Sequence, residues 1–206
     1  MVANQIDEFY HAELDNLCFN LNDGMISSLI GDRKGFFVPS DSDSRAIASL
    51  IYINNLSSLK YVCQKIPQYL RNSKNDMQLL GDLLKERADF YPLPTIDTES
   101  GHGVIFDAAS IGQYLYGIDP RNTRYPVFNL FKNEKNIKDY ASLEFFIDLT
   151  TNQCNVRDGN ILVSLKNIHV HSKCFSKIIK NNDKIINKVN RHKRSFISHI
   201  FLAGDL

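Results

Sequence analysis

No CxxC pair occurs among the four cysteines, Cys18, Cys63, Cys154 and Cys174. Their scatter argues against a disulfide framework and fits a reducing compartment. No apolar run follows a basic start, so no secretion signal is expected. No segment approaches the roughly 20 apolar residues needed to span a bilayer. These absences predict a cytoplasmic protein, soluble or peripheral. Net charge is also scarce: at +1, no global field draws the chain to nucleic acid, and none is expected as a partner. Internal repeats and low-complexity stretches are missing as well.

What is present is an ordinary globular composition, 43% hydrophobic and 11% aromatic across 206 residues. That length suffices for one domain with a sizeable core. The pattern predicts a strand over Ile6–Tyr10, a short helix capped at Asn22–Asp23 and stopped by Gly31, and a strand over Gly35–Pro39. Ser40–Ser44 reads as a polar loop. Ala46–Ile53 is a near-continuous apolar run, the signature of a strand buried on both faces. Helical spacing follows from Leu56 to about Pro67 and again from Asn75–Asp76. Tyr91–Thr95 reads as an extended linker. Val104–Phe106 precedes a helix capped by Asp107 and running to Leu115. Beyond Pro126, Leu143–Leu149, a hairpin over Asn155–Leu165 and a strand over Asn167–His171 are expected. Together these predict an α/β domain with a mixed sheet and flanking helices.

Several clusters could carry chemistry. Glu13 and Asp15 follow the first strand two apart, so they share a side and suit a hard divalent cation bridging a diphosphate. They serve equally as acidic residues at a helix N-terminus. Arg45, beside Asp41 and Asp43, is either an orienter of phosphate or ribose or a solvated ion pair. Asp76 is a helix cap or a ligand for acceptor hydroxyls. In Gly103–Asn122 small residues permit close backbone approach, and the polar run Asp119–Asn122 exceeds what a turn needs. His169 and His171 share a strand face, and imidazole binds borderline metals. A zinc site from His169, His171 and Cys174 would lack a nearby fourth ligand. Lys173 could neutralise a phosphate.

The HAELDN stretch, the SDSRAIASLIYINN run, the NDM helix start, the FDAASIGQYLYGIDPRN segment and IHVHSK together resemble GT-A-type glycosyltransferases of bacterial surface (capsular or lipopolysaccharide) polysaccharide clusters. The resemblance spans nearly the whole chain. It implies a partial GT-A-like domain over 1–173, with the family's nucleotide-binding βαβ region expected ahead of HAELDN. It implies Mn²⁺ or Mg²⁺ held by Glu13, Asp15 and His171, and Lys173 on the donor's phosphates. Glu13 stands where the family's acidic motif has its first Asp. It further implies a nucleotide-sugar donor, a saccharide or lipid-linked acceptor, and Asp107 or Asp76 as base if the enzyme inverts.

Residues 174–206 interleave lysines and arginines with apolar residues. They are expected to form a basic amphipathic helix, suited to an anionic membrane surface at the inner face of the cytoplasmic membrane or to a solvated cap. Two rival readings remain. One is a truncated, non-catalytic remnant that binds saccharide or a partner subunit. The other is a metal-dependent hydrolase using the HxH pair.

Overall fold

The computed structural model describes residues 7–22, 24–72, 75–95, 103–112, 143–148, 151–170 and 200–202. The elements in chain order are β1 (Phe9–Ala12), β2 (Asn16–Cys18), α1 (Met25–Ile30), β3 (Phe36–Ser42), β4 (Arg45–Ala46) and β5 (Leu50–Ile53). Next come α2 (Leu56–Arg71), α3 (Asp76–Glu86), β6 (Phe90–Leu93), β7 (Val104–Ile105) and β8 (Leu143–Asp148). The last are β9 (Gln153–Asp158), β10 (Ile161–Leu165), β11 (Asn167–His169) and β12 (Ile200–Leu202). One sheet has the order β1-β5-β3-β4, with β6 alongside β3, and a second has the order β12-β8-β9-β10-β7. β2 and β11 form a separate ribbon. β6 is parallel to β3 while β1 and β3 run antiparallel to β5, so the first sheet is mixed. The fold is α/β with mixed sheets.

The apolar run at β5 behaves as its composition requires. All four of its residues are buried, and because side chains alternate across a strand, the two faces draw different partners. Ile51 and Ile53 join Phe36, Val38, Val62, Leu79, Leu80 and Leu83 under α2 and α3. Leu50 and Tyr52 join Phe37, Ile26, Ile30 and Phe106 on the α1 side. An aromatic row crosses that second face: Tyr10 to Tyr52 at 4.9 Å, Tyr52 to Phe37 at 5.7 Å, and Phe37 to Tyr91 at 4.9 Å between ring centres. The site end of this sheet, where β1 finishes and β5 begins, is therefore backed by core on both sides.

Several local expectations change. Ser40–Ser44 is not wholly a loop, since β3 runs through Ser42, and the cap of α1 is Gly24 where Asn22–Asp23 was expected. Ala46–Ile53 is not one strand: β4 and β5 are separated by Ile47–Ser49, and the freed Ser49 carbonyl is used by the site described below. α2 continues one turn past Pro67 to Arg71, forgoing only the hydrogen bond that proline cannot donate. Tyr91–Thr95 is not a linker, because Phe90–Leu93 finds a parallel partner in β3, a pairing invisible to local pattern. Ile200–Leu202, expected to be helical, is a strand parallel to β8. Three consecutive bulky apolar residues complete that sheet's edge, and residues 174–199 lie outside the described residues. Among the described residues, no helix is long and apolar enough to cross a membrane.

Candidate metal centre

The acidic arm of the site is a tight turn leaving β1. The Glu13 amide donates to the Ser49 carbonyl at 3.1 Å, and the Asn16 amide returns to the Glu13 carbonyl at 3.2 Å. Asn16 Nδ2 also donates to Ser49 O at 2.7 Å. This closes the turn and carries both carboxylates to one side. Leu14, between them, is 98% exposed.

The histidine arm arrives through the ribbon. β11 pairs with β2 so that His169 lies opposite Asn16, and the Val170 amide donates to the Asp15 carbonyl at 2.8 Å. His169 Nε2 then stands 3.2 Å from Glu13 Oε2 and 3.4 Å from Asp15 Oδ1. On the ring's other side, Nδ1 is 2.8 Å from the Ala108 carbonyl. A carbonyl can only accept, so Nδ1 carries a proton and Nε2 alone faces the carboxylates.

Burial opposes the imidazolium most strongly. The Glu13 hydrogen bond, the Ala108 carbonyl and the charges of Asp107 and Asp15 outweigh it and raise the His169 pKa to about 9.

A buried polar network fixes this arm. Asp107 is 1% exposed. Its Oδ2 accepts the amides of His169 at 2.9 Å and Gly112 at 2.8 Å, and its Oδ1 accepts that of Ile111 at 3.0 Å. Desolvation raises its pKa to about 6 despite those three amides. Asn167 donates to Asn16 Oδ1 and to the Asp107 carbonyl, both at 2.9 Å, and accepts the Asp107 amide at 3.0 Å. Ser49 Oγ donates to the same Asp107 carbonyl at 2.8 Å. Gly112 lies so close that a Cβ would sit 1.7 Å from the His169 carbonyl oxygen. Only glycine fits there.

The donor set suits a divalent cation. Ligand atoms of Glu13, Asp15 and His169 all lie within 4.8 Å of one another. Neighbouring ligands of an octahedral ion at ~2.1 Å are about 3 Å apart, close to the two nitrogen–oxygen separations seen here. A ring nitrogen held on a backbone carbonyl is the usual way a protein aims the opposite nitrogen at a metal. Two carboxylates match a 2+ charge, and two oxygen donors with one imidazole nitrogen are a donor set that divalent cations accept. Side-chain exposures of 36% for Glu13 and 19% for Asp15, against 9% for His169, leave the acidic side open to a ligand.

The structure thus brings Glu13 and Asp15 together, but the histidine that meets them is His169 where His171 was expected. His171 and Lys173 lie outside the described residues, as does Asp119–Asn122. Asp107, expected as an acceptor base, is buried, and both of its carboxylate oxygens accept backbone amides. Asp76 is exposed in the first turn of α3; the cap is Asn75, in a reciprocal pair with Gln78. Arg45 is half-buried in β4, where its carbonyl accepts Ser40 Oγ at 3.0 Å. Neither is part of the cluster around His169 Nε2. The network residues Asn16, Ser49 and Asn167 escape sequence reasoning, although Asn167, two before His169 on a strand, carries the signal of a shared face.

No family model, curated protein or solved structure matches the chain.

Proposed function

We propose that the chain is a metal-assisted glycosyltransferase of the GT-A type, moving a sugar from a nucleotide-sugar donor to a hydroxyl of a saccharide or lipid-linked acceptor. The observation that carries this reading is the convergence of Glu13, Asp15 and His169 on one open-sided point. Its support from sequence is the order of motifs, an acidic pair after an early strand and a late histidine.

Glu13 and Asp15 would hold Mn²⁺ or Mg²⁺ from the exposed side, and His169 Nε2 from the buried side. A bound divalent ion supplies charge neutralisation for the leaving nucleoside diphosphate, the largest electrostatic demand of the transfer. The chain's own part is to keep that point fixed. Asp107 and Gly112 set the height of the His169 backbone, the Ala108 carbonyl sets the ring's rotation, and Asn16 and Ser49 hold the turn bearing the carboxylates. Fixed ligands need no reorganisation as charge develops, which is where preorganisation lowers a barrier.

A panel of nucleotide sugars, assayed for nucleoside diphosphate release with and without Mn²⁺, tests the reading. Metal-dependent release from one donor class, lost in Glu13→Gln and His169→Ala, is expected. Silence across all donors by a protein shown to bind Mn²⁺ would overturn it.

A further inference from the structure

We infer that a second binding site, for an uncharged, hydroxyl-rich ring such as one monosaccharide unit, lies between the β9–β10 hairpin and the segment following β2. This inference does not rest on the cation site. A cavity of about 240 Å³ opens there. That is smaller than the roughly 300–1,000 Å³ of sites for drug-sized ligands, so it suits a single small ring.

Strand alternation explains its lining. On the β9–β10 hairpin, Cys154, Val156, Val163 and Leu165 turn into the core at 0–5% exposure. Their neighbours Gln153, Asn155, Leu162 and Ser164 therefore take the other face, with Asn155 directly opposite Ser164 in register. All four line the cavity, with Cys154 at its floor and Phe19, Asn20, Met25 and Gly103 completing the lining. Among the described residues no charged side chain lines it, which disfavours phosphate or a nucleotide. Among the described residues, the side chains of Asn20, Gln153, Asn155 and Ser164 make no hydrogen bond within the protein. Amides and hydroxyls both donate and accept, as sugar hydroxyls do. Leu162, 54% exposed, offers apolar surface to the C–H face of a ring.

The rim is held in shape by two asparagines in the left-handed region, Asn20 at φ 36° and Asn152 at φ 53°. With its side-chain amide turned over, the orientation that satisfies both of its ends, Asn152 donates from Nδ2 to the Cys18 carbonyl and accepts the Asn20 N–H at Oδ1, both at 3.2 Å. Asn20 and Ser164 are each five residues from Asp15 and His169 respectively, at most ~17 Å of chain. The two sites are separate but neighbouring.

The test is a titration of the full ¹⁵N-labelled chain with methyl glycosides of glucose, galactose and N-acetylglucosamine, followed by amide NMR without metal and then with Mg²⁺. At least one glycoside is expected to shift the amides of Asn20, Gln153, Asn155 and Ser164 with millimolar affinity, equally in both states. Asn155→Leu is expected to weaken it about tenfold with Mg²⁺ binding unchanged. Should that variant not fold, Ser164→Ala is expected to weaken it severalfold. Absence of shifts at these residues, or the same shifts with glycerol or urea (a water-filled hollow only), would overturn the inference. So would shifts centred on Glu13, Asp15 and His169.

Discussion

The two arms of the candidate metal centre are built on opposite principles. The acidic arm is a short turn, part-exposed and held by local backbone bonds to Ser49. The histidine arm is buried and tied by Asp107 and Asn167 to segments some sixty residues apart. The exposed arm leaves its carboxylates open to solvent, and its contribution to folding runs through the contacts of Glu13 and Asp15 with His169. The buried arm supplies the rigidity, and disturbing it should damage fold and site together.

Asp107→Ala is the strongest way to break this contrast. It leaves three buried amides, those of Ile111, Gly112 and His169, without an acceptor. A loss of about 3–5 kcal/mol in denaturant unfolding is expected, together with weakened Mn²⁺ binding. A loss under 1 kcal/mol would show that the network is not what holds the histidine arm.

Next in size is a pH effect. The His169 pKa lies above its ordinary value, at about 9, so folding favours the proton. Its contribution is full below about pH 6.5 and is lost as pH rises through 9, amounting to about 3 kcal/mol in metal-free protein. Urea melts across that window should fall with pH for the wild type and lie flatter for His169→Gln. Metal binding should run the other way, tightening as pH rises, because a cation must displace the Nε2 proton. Identical slopes in wild type and variant would remove His169 from the account.

The smallest effect belongs to the exposed arm. Leu14→Ser, at a residue 98% exposed, should change unfolding free energy by no more than ~0.5 kcal/mol. A larger loss would mean that the turn is not merely a surface feature.

The contrast also explains which parts were legible in the sequence. Glu13 and Asp15 could be read because an acidic pair after a strand is a local pattern. The part played by His169 could not, since strand alternation alone gives His169 and His171 the same face, and the β2–β11 register that sets His169 opposite Asn16 is not a local pattern. Asp107 reads as a helix cap, and its carboxylate does accept the Ile111 and Gly112 amides, but its burial comes from segments distant in sequence. The same limit applies to Ile200–Leu202: basic and apolar spacing around it reads as helix, and the edge of β8 makes it a strand. The apolar run Ala46–Ile53 is a mixed case: composition announced the burial on both faces that Leu50–Ile53 shows, but not the break at Ile47–Ser49.

The most direct measurement is Mn²⁺ binding followed by electron paramagnetic resonance of the free ion at neutral pH, in wild type, Glu13→Gln, Asp15→Asn and His169→Ala. The account predicts one site per chain in the wild type, weakened at least tenfold in each variant with folding retained in the two acidic-arm variants. Equal Mn²⁺ uptake by the wild type and all three variants would contradict it.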